Sequence, residues 1–134
     1  MENLINKHNL NVGLFRYDNS CDFKELKGHY VVDIYHDKEV FQVLTKTHLF
    51  VLRHEQDCCE SVELIDVVGD VKDLIGREIL LAEESSKSGD ADYGTETWTY
   101  YKLGTIKGYV DLRWHGDSNG YYSESVDCLK VEVA

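Results

Sequence analysis

The chain has 134 residues, 43% of them apolar and 11% aromatic, enough to bury one real core and too apolar for wholesale disorder. Its 25 acidic residues against 14 basic ones give a formal charge of −11, which disfavours direct binding to phosphate backbones and favours a basic protein surface as partner. No stretch approaches the ~20 consecutive apolar residues of a membrane helix, and Met1–Lys7 lacks the basic and apolar regions of a signal peptide, so a cytoplasmic protein without membrane contact is expected.

Residues 1–22 are polar and asparagine-rich, with Leu10, Val12, Leu14 and Phe15 scattered among them. They read as an extended lead-in that adds an edge strand. Asp22–Gly28 reads as a short helical turn, with Asp22 capping its start and Gly28 ending it. Strands are expected at His29–Tyr35, Glu39–Thr45 and His48–His54, each rich in β-branched or aromatic residues and separated by short turns. An acidic loop follows, and Ser61–Val68 makes a fourth strand.

The pattern then starts over. Val71–Gly76 repeats Phe23–Gly28, with Lys, an acid, Leu and Gly in the same order. Glu78–Glu83 is the counterpart of the strand at His29–Tyr35, and residues 85–96, rich in Ser, Gly and Asp, read as a flexible loop. Thr97–Leu103 and Gly108–Trp114 form a hairpin, and Ser125–Val133 is the last strand.

Leu26 and Leu74 are 48 positions apart, Leu52 and Leu112 are 60 apart, and Val62 and Val126 are 64 apart. The offset grows only across loops, as an internal duplication requires. The expected fold is therefore mostly β, with α+β as the alternative class. It is a single domain, 1–134, of about eight antiparallel strands in two related four-strand halves, 22–70 and 71–134, each opened by a short helical turn. Alternation places Val110, Leu112 and Trp114 inward, and the overlay puts Phe50, Leu52 and His54 on the matching side.

The chemistry concentrates in Leu52–Glu63, which holds His54, Cys58, Cys59 and four carboxylates within twelve residues. Cys21, Cys58, Cys59 and Cys128 do not form a secreted disulfide framework, and neighbouring cysteines rarely bridge, so reduced thiols are expected. His54, Cys58 and Cys59 could then serve as zinc ligands, completed by Cys21, Cys128 or His115, although no Cys-x-x-Cys pair is present. Against this stands the plain reading of His54 and one cysteine as core residues. Glu55, Asp57, Glu60 and Glu63, with Asp117, Glu124 and Asp127, could gather around calcium or magnesium, or simply be solvated. Catalysis by Cys58 or Cys59 would need His54 within hydrogen-bond reach and a third group to orient it. Glycine-rich phosphate loops and Gly-x-Ser-x-Gly are absent.

Trp98, Tyr100, Tyr101, Tyr109, Trp114, Tyr121 and Tyr122 fall within 25 residues. Alternation sends about half of them into the core. Tyr121 and Tyr122, in a Ser/Asn/Gly loop, are the candidates for an exposed contact, because tyrosine buries area at an interface with little entropy loss.

His54-Glu55-Gln56-Asp57-Cys58-Cys59-Glu60, Leu74-Ile75-Gly76, Ala82-Glu83-Glu84, Trp98-Thr99-Tyr100-Tyr101 and Ser118-Asn119-Gly120-Tyr121-Tyr122-Ser123-Glu124 are distinctive in combination. Over residues 22–130 the chain resembles an uncharacterised domain family found mainly in hypothetical proteins of bacteriophages and their hosts. The resemblance implies a context, a small phage-encoded protein acting inside a bacterial cell, and no activity. The function expected from residues and context together is a non-enzymatic protein-binding module, an inhibitor or modulator of a host protein. Tyr121, Tyr122, Glu124, Asp57 and Glu60 form its binding surface, and no cofactor is expected. The alternative is a zinc-binding or other metal-binding domain, hydrolytic or not, centred on His54–Glu60. A homodimer through an open sheet edge is a further option.

Overall fold

The computed structural model describes residues 3–12 and 19–133. Eight strands form two antiparallel sheets. They are β1 (Val31–His36), β2 (Val40–Thr45), β3 (His48–Arg53), β4 (Ser61–Val68), β5 (Leu81–Ala91), β6 (Gly94–Thr105), β7 (Gly108–Ser118) and β8 (Asp127–Glu132). The first sheet runs β1-β2-β3-β8 and the second β4-β7-β6-β5. Each sheet is a three-strand meander completed by the fourth strand of the other half of the chain. Neither half closes a sheet by itself.

Two short 3₁₀ turns open the halves. Phe23–Leu26 carries a full capping box, in which Asp22 accepts from the Lys24 amide and Glu25 accepts from the Asp22 amide. Val71–Asp73 is capped by Asp70 alone. The segments that follow them pair with each other. Gly28 N–H donates to Ile79 O and Gly76 N–H to Val31 O, while Val31 N–H donates to Arg77 O and Ile79 N–H to His29 O. An offset of 48 positions exchanges the partners within each of these two pairs.

One core lies between the sheets. Phe41, Val43, Phe50 and Leu52 of the first sheet meet Leu64, Tyr101, Leu103, Val110, Leu112 and Trp114 of the second. The inward sets expected from alternation, Phe50 and Leu52 in one half and Val110, Leu112 and Trp114 in the other, are buried. A second apolar cluster covers the outer face of the first sheet. Leu4 of the helix α1 (Asn3–Lys7), with Ile5, Leu10 and Val12, packs on Val40, Leu44, Leu49, Val51 and Val131. Both faces of β2 and β3 are thereby covered, which is why their sequences run almost without polar interruption.

One local expectation is corrected. Residues 85–96 are not a loop: β5 and β6 pair without a break from Leu81↔Gly104 to Ala91↔Gly94, with only Asp92 and Tyr93 in the turn. Side chains that suit a loop also suit a strand at the sheet edge, where the backbone ladder supplies the stabilisation. Among the described residues, the lead-in contributes the helix α1 and the bridge Ser20↔Leu129 to β8. Leu14 and Phe15 lie outside the described residues.

Trp114 is 1% exposed and Ile106 is 88% exposed. Trp114→Ala is expected to lower unfolding free energy by about 3–5 kcal/mol, through lost transfer energy and the cavity left behind. Ile106→Ala should stay within about 0.5 kcal/mol. Urea denaturation of the two variants checks both figures.

Candidate functional site

The chain passes between the sheets twice, once from β3 to β4 through residues 54–60 and once from β7 to β8 through residues 119–126. The two crossings lie side by side. His54 Nδ1 is 2.7 Å from the carbonyl of Ser125, and the Glu55 amide donates to Asp127 at 3.1 Å. Gly116 sits where a Cβ would come within 2.7 Å of the Glu124 carbonyl and 3.1 Å of Val62, so the two Glu-Ser-Val segments are neighbours.

Glu60 is the centre of the first crossing. Its side chain is fully buried, yet every nearby donor turns toward it. His54 Nε2 lies 2.8 Å from Oε2, the amides of Asp57 and Cys58 donate at 3.0 and 2.8 Å, and the Gln56 amide reaches Oε1 at 3.2 Å. Burial by itself would raise the pKa of this carboxyl. The hydrogen bonds from His54 and the backbone amides outweigh it and bring the value from 4.5 down to about 2.

Beside this pair is a cleft of about 390 Å³, lined by Glu39, His54, Gln56, Glu60, Ser61, Val62 and Glu63. The turn after β1 brings Glu39 to it, because the Lys38 carbonyl accepts from the Leu64 amide. The cleft is acidic, and its one basic side chain is already committed to Glu60.

Glu124 anchors the second crossing with neutral donors. Its carboxylate accepts from Thr95 (2.6 Å), Thr97 (2.9 Å) and Ser118. Burial opposes ionisation, and the three hydroxyls outweigh it, holding this carboxyl below its ordinary value. Tyr121 is 83% exposed, and Tyr122 is half-buried with its ring edge-on to Tyr121 at 5.0 Å.

Of the expected binding residues, Tyr121 and Asp57 are on the surface, Glu60 is inside, and Glu124 is tied down by hydroxyls. The expectation of four reduced thiols is corrected. Cys58 and Cys59 are joined in a disulfide at the exposed tip of the loop, where the chain turns back to bring the Asp57 and Cys58 amides onto Glu60; Cys21 and Cys128 are free. Among the described residues no three His, Cys, Asp or Glu side chains are grouped to hold a metal ion. Zinc at His54, Cys58 and Cys59 would require displacing Glu60 from the imidazole and reducing the disulfide. The same two contacts of His54 leave it no nitrogen to activate a nucleophile.

A residue not singled out from the sequence is Tyr93, which is 96% exposed at the tip between β5 and β6. It sits on the turn that packs beside the Tyr121 loop. Gly94 has φ +141°, and a Cβ there would lie 2.9 Å from Asn119 Cα. The available signal was an aromatic next to an Asp and a Gly at a turn.

Residues 24–128 match the family model described as a domain of unknown function, DUF7448. The chain belongs to that family. No curated protein and no solved structure matches it. The matched range contains both crossings and stops at Cys128, so α1 and the covering arm fall outside it. No helix among the described residues is long and apolar enough to cross a membrane.

Glu60 should make a distinct contribution to the acid sensitivity of the fold, alongside Glu124, Asp33, Asp37 and Glu25, whose carboxyls are also held low. Its folded pKa is depressed, so its contribution is complete above about 4.5 and is lost as pH falls through about 2. Between those values Glu60 should add to the slope of stability against pH an amount approaching one extra proton bound on unfolding. Glu60→Gln should be less stable near neutral pH and should flatten that slope. An unchanged slope in the variant would assign the acid response elsewhere.

Proposed function

We propose that this protein is a small acidic protein-binding module that presents the Tyr93 and Tyr121–Tyr122 turns to a basic surface on its partner. The observation that carries this reading is the pair of nearly fully exposed tyrosines, Tyr93 and Tyr121, on two packed turns at one end of the second sheet. Exposed carboxylates surround them: Asp90, Asp92 and Asp117. Tyrosine offers a rigid apolar face with a polar tip, and flanking carboxylates steer a cationic partner into contact. Neither tyrosine is part of the core, and Tyr121 packs edge-on against Tyr122 on the same turn. The charge of −11 supports the same choice of partner. In the bacteriophage setting that the resemblance implies, the partner is a host protein and this chain its inhibitor or modulator in the bacterial cytoplasm.

The test is affinity capture from bacterial lysate with wild-type protein and with Tyr93→Ala/Tyr121→Ala, at low and high salt. A basic protein should be retained by the wild type, weakened by salt, and lost from the double variant with unchanged circular dichroism. Aromatic anchors of this kind contribute about 2 kcal/mol or more each, so the double variant should bind at least a hundredfold more weakly. Equal capture by both proteins would remove the tyrosine turns from the interface.

A further inference from the structure

Cys21 and Cys128 sit 107 residues apart in sequence with their sulfurs 3.1 Å from each other. The contact is built into the backbone. Cys21 N–H donates to the Cys128 carbonyl at 2.9 Å, Ser20 bridges Leu129, and Glu25 pairs with Lys130. Both cysteines are half-buried and neither is in a disulfide. A disulfide needs sulfurs about 2.05 Å apart, so closure asks for roughly 1 Å of movement by two side chains already in contact.

We propose that Cys21 and Cys128 are a redox site, oxidised to a disulfide by low-molecular-weight disulfides such as oxidised glutathione, and that the bond locks the N-terminal arm to β8. Cys21 is the attacking sulfur. The Cys128 thiol beside it holds Cys21 below the ordinary thiol value despite partial burial, and the same contact pushes Cys128 up. The Cys21 thiolate bonds to one sulfur of the oxidant and expels the other as a glutathione thiolate. Cys128 then gives its proton to that thiolate and displaces the second glutathione from Cys21. Two protein thiols are oxidised and one small disulfide is reduced to two thiols.

The consequence lies in the arm. Residues 3–12 cover the apolar outer face of the first sheet through Leu4, Ile5, Leu10 and Val12 and reach β1 through Lys7 and His8 on Asp33. The chain then arrives at β8 at Ser20 and Cys21. With the thiols free, the described contacts at this exit are the bridge, polar contacts and packing of Cys21 and Cys128 on the main core, all non-covalent. Oxidation makes it covalent and confines the cover to its seat.

The test is to expose the native protein to oxidised glutathione, digest it with trypsin without reduction, and map the disulfides by mass spectrometry. The expected product joins the peptide carrying Cys21 to the peptide carrying Cys128, and Cys128→Ala should instead retain one glutathione on Cys21. Cys21→Ser, with its substitution nearer the surface, should lose the cross-link while keeping the fold. In the cross-linked protein, amide exchange at Leu4–Leu10 should slow several-fold against the reduced form. Separate glutathione adducts on both cysteines, no reaction, or a bond to Cys58 or Cys59 would overturn the site. A correct cross-link with unchanged exchange in the arm would overturn the lock.

Discussion

Two hydrogen-bonded carboxylates, Glu60 buried and Glu124 half-buried, hold this fold in its topology. A buried charge is costly unless its hydrogen-bonding capacity is filled, so Glu60 and Glu124 each specify the loop around them. Glu60 requires two backbone amides, an imidazole and an amide side chain to converge, which folds residues 54–60 into one shape. Glu124 requires two threonines of β6 and a serine of β7, which pins residues 119–126 across the second sheet. The loops so fixed deliver β4 to β7 and β8 to β3. His54 joins the two anchors, since one ring nitrogen meets Glu60 and the other meets Ser125.

Strand identity was legible wherever one face of a strand is wet and the other buried. β7 alternates along Gly108–Ser118, and β4 lies where its β-branched run placed it, Ser61–Val68. The exchange of fourth strands was not legible, because side-chain periodicity reports which face is buried and not which strand is paired. The hairpin at residues 85–96 was hidden for a related reason. An edge strand with eight exposed positions, 83–90, has no apolar face to betray it. Treating that stretch as a loop also hid Tyr93. At the site, the sequence placed His54 inward and drew attention to its loop. It did not separate Glu60 from its neighbouring acids, because four carboxylates in twelve residues look alike until donors are seen to converge on one.

The two halves share local features beyond the sequence offsets. The capped turns recur, each meander has the same order, and the bonds between residues 28–31 and 76–79 exchange under an offset of 48 positions. The offset of 64 relates the two anchoring glutamates as well. What differs is the company each keeps: an ionisable imidazole for Glu60, neutral hydroxyls for Glu124.

That difference separates the work of the two crossings. The first loop is exposed but organised around a buried centre, with every residue from Glu55 to Cys58 either touching Glu60 or bonded across to Asp127 or Cys59. Changing it should therefore change stability before it changes recognition. The second loop is anchored by Glu124 and capped locally, with the Tyr121 amide on Asn119 and the Gly120 amide on Ser118. Its structure is complete without the Tyr121 ring, which nevertheless stands 83% exposed. A turn whose amides are already bonded to Ser118 and Asn119 has less backbone freedom to lose than an open loop. The fold anchors one crossing to build the sandwich and ties the base of the other to the second sheet, leaving the Tyr121 ring at its tip exposed.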